Sequence, residues 1–205
     1  MAVDFKVMKP FPHLLETFNR TLQQVRKIHS DAQMLRQTYS EKQGLTTELP
    51  IETDGIPKAS TSQWNLLTEG ERLRANLTAY QTFKTLLEDI LEEQKSNFTP
   101  LDTEFHNSIG SIISQVEMLI HHIEEIMLLL EVPVSPPIKS DKHRPMSLFE
   151  KKLWGYKVLL ELCQWTVRSV RDFNLLKNKR KEAQHFRVDM LAIRANKRLS
   201  GTGFQ

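Results

Sequence analysis

The sequence predicts an all-α protein, a long four-helix bundle of up-up-down-down topology with two long crossover connections. Three observations predict it. Four segments carry apolar residues at alternating three- and four-residue steps, the mark of one buried helical face. Glycine (7) and proline (9) are scarce in a chain of 205 residues, and charged residues make up 26%, a balance that favours helices over sheets. The connections run long, short, long. A helix of roughly 28 residues spans about 42 Å, so a short loop joins only antiparallel neighbours, whereas a long one can travel the length of the bundle.

The first helix is expected from about Pro12 to Ser40, with Leu15, Phe18, Leu22, Val25, Ile28, Ala32, Leu35 and Tyr39 on its apolar face. A long connection follows, carrying Gly44, Pro50, Gly55 and Pro57. The second helix is expected over 69–95. Thr68 and Glu71 form a T-x-x-E capping box, and Leu73, Leu77, Tyr80, Phe83, Leu87 and Ile90 line one face. A few residues around Asn97 lead to the third helix, expected over 100–131 with Thr99 as N-cap and Pro100 at the first helical position. Its face is Phe105, Ile109, Ile112, Val116, Leu119, Ile123, Ile126 and Leu130. The second long connection, about Val132 to Met146, holds four prolines. The fourth helix is expected over 147–181. Ser147 and Glu150 form a second capping box, and Leu153, Tyr156, Leu160, Cys163, Val167 and Val170 form its stripe. Residues 1–181 therefore read as one domain, and 182–205 as a basic, flexible C-terminal tail.

The net charge of +3 is too small to imply nucleic acid, although the run KNKRK (Lys177 to Lys181) is locally basic. That run reads as a solvated helix terminus offsetting the macrodipole, with a polyanion contact as the alternative. The single cysteine, Cys163, excludes an intrachain disulfide, and its place on the apolar stripe suggests a buried small hydrophobe. The start MAVDFKVMKPFPHLL has no signal-peptide apolar region, and no apolar run reaches transmembrane length. Cytosolic synthesis is the expectation. The sequons at Asn19, Asn76 and Asn97 then carry no meaning.

Catalytic chemistry finds little support. Nucleotide, hydrolase and redox motifs are absent. Di-metal bundles need an E-x-x-H pair on each of two helices, and the one example here, Glu182 with His185, lies beyond the expected core. Glu117, His121 and Glu125 share a helix face, but it is the polar one, so a solvated surface is the better reading. Two aromatic residues stand out instead. Trp64 lies in the first long connection, as an exposed anchor or a plug onto the bundle. Phe149 opens the fourth helix, where periodicity alone adds it to the core above Leu153 and Tyr156.

The runs around these residues carry a resemblance. They are DGIPKAST with QWNLLTEGERL (Asp54 to Leu73), AYQTF (Ala79 to Phe83), FTP (Phe98 to Pro100), IEEIMLLLE (Ile123 to Glu131), LFEKKLWG (Leu148 to Gly155) and QWTVRS (Gln164 to Ser169). In them the chain resembles the ciliary neurotrophic factor family, leaderless members of the interleukin-6-type group of long-chain helical cytokines. The resemblance implies a neurotrophic cytokine without catalysis or cofactor, made in the cytoplasm and released to act outside. It would bind a non-signalling α-receptor, then join the shared signal-transducing chain and the leukaemia inhibitory factor receptor, activating JAK kinases and STAT factors and supporting neuronal survival. It further implies that an F-x-x-K motif, here Phe149 and Lys152, contacts the leukaemia inhibitory factor receptor, which makes Phe149 an exposed anchor. Arg26, Gln63, Trp64 and Arg168 would meet the α-receptor. His29 stands where the family often shows a further arginine, and Arg171 where some members have histidine. Exposed faces of the first and third helices would meet the shared chain. The expected state is a monomer or weak dimer, with no nucleic acid and no membrane insertion. The rival readings are an intracellular helical scaffold or adaptor, a lipid-binding bundle and a di-metal enzyme.

Overall fold

A computed structural model describes residues 11–45, 54–59, 63–134 and 146–200, without the side chains of 187–189 and 191–200. Pro50, Pro136, Pro137, Pro145, the first ten residues and the last five lie outside the described residues. Every regular element among the described residues is helical: α1 (Phe11–Gln43), a one-turn 3-10 helix (Trp64–Leu66), α2 (Glu69–Glu93), a π-helical turn (Gln94–Phe98), α3 (Thr103–Leu129) and α4 (Leu148–Ser200).

Contacts between helices fix their directions. Along α1, His29 meets Thr166 and Tyr39 meets Lys152 of α4, so rising numbers face falling ones and the pair is antiparallel. α1 and α3 run oppositely as well, through Arg20 with Glu125 and Lys42 with Asp102. α2 opposes α4 through Asn76 with Asp172 and Glu93 with Lys151. α1 and α2 are therefore parallel to each other and antiparallel to α3 and α4. This is the up-up-down-down bundle, with α1 and α2 each packed between α3 and α4.

The core follows the expected stripes in the first three helices. Phe18, Leu22, Val25, Ile28, Ala32, Leu35 and Tyr39 are buried in α1, although Leu14 takes the place expected of Leu15. Leu73, Leu77, Tyr80, Phe83, Leu87 and Ile90 are buried in α2, and Phe105, Ile109, Ile112, Val116, Leu119, Ile123 and Ile126 in α3. Each buried valine, leucine, isoleucine or phenylalanine contributes about 1.5–3 kcal/mol on burial. Both capping boxes form. Thr68 accepts from the Glu71 amide while Glu71 accepts from the Thr68 amide. Ser147 and Glu150 do the same at the start of α4.

Three expectations are corrected. Thr99 does not cap α3. Its amide donates to the Gln94 carbonyl and closes the π turn, and Asp102 becomes the cap by accepting from the Phe105 amide. The helix thus starts at Thr103, three residues beyond Pro100. In α4 the stripe is rotated. Val167 is exposed, and Tyr156, Leu160 and Val170 are half-buried, whereas Trp154, Val158, Leu159, Leu162, Trp165, Phe173 and Leu176 are buried. The reason is that Thr166, Ser169 and Asp172 also face inward, so an apolar count mistakes the phase of that helix. Finally, α4 runs to Ser200 rather than ending near Lys181. No proline or glycine interrupts residues 182–200, and Ala183, Ala192 and Ala195 favour helix there.

Candidate functional site

Two surfaces on α4 hold the residues singled out by sequence. The first is its opening turn. Phe149 is 55% exposed and lies outside the core, which overturns the periodicity reading. The turn beneath it is braced. Tyr39, almost fully buried, donates from its hydroxyl to the Lys152 carbonyl at 3.1 Å. Burial, reinforced by the Glu93 carboxylate, pushes the Tyr39 phenol up, so it remains a donor. This contact needs Gly155, because a Cβ there would stand 2.3 Å from the Tyr39 hydroxyl oxygen. Lys151 pairs with Glu93 of α2 at 2.5 Å. Lys152 is half-buried, and its ammonium lies 5.2 Å from the centre of the Phe98 ring. The bracing comes from α1, α2 and the π turn, so the turn is rigid while Phe149 is left to solvent.

The second surface lies where the first long connection crosses the middle of α4. Trp64 begins the 3-10 turn after Gln63; Gln63 is exposed and Trp64 half-buried. The indole nitrogen donates to Asp172 Oδ1 at 2.9 Å. The same oxygen accepts from Arg72 Nη1 at 3.0 Å, and Asp172 Oδ2 accepts from Asn76 Nδ2 at 3.0 Å. Asn76 is fully buried, so this sequon position is structural. The ladder continues through Ser169, which donates to Asn76 Oδ1 and accepts from the Tyr80 hydroxyl. Burial pushes the Asp172 carboxyl up, against the pull of its Asn76, Arg72 and Trp64 hydrogen bonds.

Arg168 is only 7% exposed. Its guanidinium lies on the face of the Trp64 ring and 4.6 Å from the centre of Trp165. Nη1 donates to the Lys58 and Ala59 carbonyls, which ties the connection to α4. Burial drives its pKa down to about 10, partly offset by Asp172. Arg168 is thus committed to the loop rather than offered to solvent. Arg26 is exposed on α1, and the α1–α4 register places it level with the turn carrying Val167 and Arg168. Its neighbour one turn on, His29, is tied inward through Nδ1 to the Thr166 hydroxyl at 2.8 Å. Arg171 is exposed beside this surface. Of the four residues expected here, the fold joins Trp64 to Arg168, sets Gln63 beside Trp64 and leaves Arg26 on the adjoining helix.

Sequence reasoning missed Arg72, Asn76 and Asp172. The signal that could have found them is polar residues at inward helical positions. The metal-like run is dispersed: Glu117 pairs with Lys84, His121 with Glu124, and Glu125 with Arg20 and His13. Glu182 and His185 are both exposed. Among the described residues no acid, histidine or cysteine cluster could hold a metal ion, and no helix is long and apolar enough to cross a membrane. Cys163 is buried as expected, and burial pushes its thiol up.

The profile of the ciliary neurotrophic factor family matches residues 6–188. The chain is 46% identical over 171 residues to ciliary neurotrophic factor of Sus scrofa, covering 80% of this chain and 84% of that one. Against the Homo sapiens protein the identity is 44% over 171 residues, with the same coverage. Cardiotrophin-2 of Mus musculus is more distant, 29% identical over 155 residues, 71% of this chain and 76% of that one. With a family profile spanning most of its length and a four-helix bundle to match, the chain belongs to the ciliary neurotrophic factor family of cytokines.

Proposed function

We propose that this cytokine works by bridging receptors rather than by catalysis. Phe149 and Lys152 meet the leukaemia inhibitory factor receptor. Trp64, Gln63 and Arg26 meet a non-signalling α-receptor, with Arg168 holding Trp64 in place. Exposed faces of α1 and α3 remain for the shared signal-transducing chain. Assembly activates JAK kinases and STAT factors and supports neuronal survival. The protein is made in the cytoplasm and released to reach these receptors.

One observation carries the reading. Both surfaces are anchored on the same continuous helix, through Phe149 and through Arg168 beneath Trp64, nineteen residues apart in sequence and therefore about 28 Å apart along its axis. That separation lets two receptor chains approach one rigid rod without colliding. An exposed aromatic beside a cation is also a sound anchor: the ring supplies area and the charge supplies register. The test is STAT phosphorylation in cells carrying the two signalling chains, with and without the α-receptor. Strong dependence on the α-receptor is expected. Equal absence of response in both lines, with the protein folded, would favour the intracellular scaffold.

A further inference from the structure

We infer that Asp172 is the positioning residue for the Trp64 surface: its buried carboxylate holds the loop indole in the orientation that the α-receptor meets. The inference rests on the reading of Trp64 as a receptor contact and extends it to a residue that no receptor can touch, since Asp172 is only 1% exposed.

Three groups point at Asp172, and all three donate: the Trp64 indole N–H, the Arg72 guanidinium and the Asn76 side-chain amide. An indole nitrogen and a guanidinium can do nothing else. Asn76 has no freedom to reverse, because its oxygen already accepts from Ser169 and its amide nitrogen also donates to the Arg72 carbonyl. Only a side chain that accepts on both oxygens satisfies all three at once, and an ionised carboxylate is that side chain. An asparagine at 172 would turn its own N–H group toward at least one of these donors.

The indole has few other restraints on its orientation. Two guanidiniums, Arg168 and Arg72, lie over the Trp64 ring, and Trp165 meets it edge-on with centroids 6.3 Å apart. Face contacts of this kind tolerate rotation of the ring in its own plane. The hydrogen bond to Asp172 does not, because it fixes one edge. Arg168 and Asp172 thus divide the work. Arg168 ties down the loop backbone at Lys58 and Ala59, and Asp172 sets the rotation of the ring. Asp172 is in turn held by α2 through Arg72 and Asn76, so the loop surface is registered to α2 as well as to α4.

The experiment compares Asp172→Asn with Tyr80→Phe, which removes a hydroxyl from the same buried ladder without contacting Trp64. Four quantities are measured: denaturant midpoint, α-receptor affinity, leukaemia inhibitory factor receptor affinity, and the NMR signal and exchange rate of the Trp64 indole N–H, assigned by its loss in Trp64→Phe. In Asp172→Asn the indole N–H should shift and exchange faster. α-receptor affinity should fall about tenfold or more, the size of one charge-assisted hydrogen bond. Affinity at the Phe149 end should not change. Tyr80→Phe should lower the midpoint while leaving the indole signal and both affinities in place. An unaltered indole signal in Asp172→Asn, or α-receptor affinity that merely tracks midpoint in both variants, overturns the inference. Should Trp64→Ala itself bind the α-receptor as well as the parent, the receptor reading falls, and the indole exchange rate alone judges whether Asp172 positions the ring.

Discussion

The opening turn of α4 and its middle hold their aromatic residues in opposite ways. At the opening turn the backbone is braced and the ring is free: Tyr39, Gly155 and Glu93 hold the turn, while Phe149 is 55% exposed. At the middle the ring itself is held. Trp64 donates its indole N–H to Asp172 and is covered by Arg168 and Arg72, and the backbone it stands on is a single 3-10 turn within a connection rather than a long helix. The difference follows from where each residue sits. A helical turn comes with its own hydrogen bonds and needs only to be fixed in register. A single 3-10 turn in a connection has little such support, so side chains of α2 and α4 must supply the rest. Truncation at the opening turn should therefore cost binding without stability, and damage beneath Trp64 should cost both.

The largest effect tests the middle. Arg72→Met removes the cation paired with a carboxylate that is itself buried, and leaves Asp172 with Arg168 and two neutral donors to offset its charge. Removing one partner of a buried pair costs about 3–5 kcal/mol. Urea unfolding should show a loss of that size, with α-receptor affinity reduced in the protein that remains folded. A midpoint shift under about 1 kcal/mol, typical of an exposed pair, would mean that water reaches the pair and that the middle is no more tightly held than the tip.

Next comes the bracing of the tip. Gly155→Ala puts a methyl group 2.3 Å from the Tyr39 hydroxyl and 2.9 Å from its ring carbon, where a buried aromatic has nowhere to swing. Overpacking of this kind costs about 1–3 kcal/mol. Tyr39→Phe loses only the hydrogen bond to the Lys152 carbonyl, about 1 kcal/mol. The pair Gly155→Ala with Tyr39→Phe should be less destabilised than the sum of the two, because the nearest clashing atom is gone. Strict additivity would show that α4 shifts to accommodate the methyl group and that Gly155 does not set its register.

These two regions also differ in how far the sequence revealed them. The stripes of α1, α2 and α3 were legible because each carries an unbroken apolar row at three- and four-residue steps, even though Thr17, Thr21, Arg72, Asn76 and Gln115 also face inward. The phase of α4 was not, because Thr166, Ser169 and Asp172 occupy inward positions that an apolar count discards. Ser169 and Asp172 also belong to the support under Trp64, so the error in phase and the missed Asp172 share a cause, whereas Arg72 and Asn76 were missed on α2 although its stripe was read in phase. Phe149 misled the periodicity in the opposite sense: an apolar residue near the register of the core points outward. Only the F-x-x-K resemblance separated it from Leu153 and Tyr156. The start of α3 failed for a local reason, since Thr99 was already engaged in closing the π turn.

Acid should separate the two regions at smaller cost. Burial raises the Asp172 carboxyl, so on acidification it takes up its proton above the ordinary carboxylate range. Burial also acts to raise Glu93, but hydrogen bonds from Lys151 and Asn97 outweigh it and the net shift is downward. The signs differ accordingly. Because the folded value is raised, protonating Asp172 does not lower global stability between the unfolded and folded values, yet it removes an acceptor and so releases the Trp64 indole. Glu93 contributes stability that is present above its unfolded value and lost as pH falls through its lower folded value. Followed by NMR, the Trp64 indole N–H should therefore move at higher pH than the amides of the α4 opening turn. Simultaneous movement of both would mean that the middle and the tip open together.

The smallest change in stability is expected for Phe149→Ala. The ring lies outside the core, so truncation should move the denaturant midpoint by no more than about 0.5 kcal/mol, as for most surface substitutions. A buried phenylalanine would lose about 3–5 kcal/mol. Binding to the leukaemia inhibitory factor receptor should behave oppositely, falling by about 2 kcal/mol or more, since an aromatic held on a braced turn gives up little conformational freedom on docking. Lys152→Ala should cost less affinity and act more on association rate and its dependence on salt, because its charge is half-exposed over the Phe98 ring. The double variant should fall short of the sum of the two, as expected for neighbours that meet one receptor pocket. α-receptor affinity should stay at the parent value in all three, because the middle of α4 is about 28 Å away and separately held. A midpoint loss of several kcal/mol with receptor affinity unchanged would return Phe149 to the core. The contrast between a free ring on a braced turn and a held ring on a loop would then collapse.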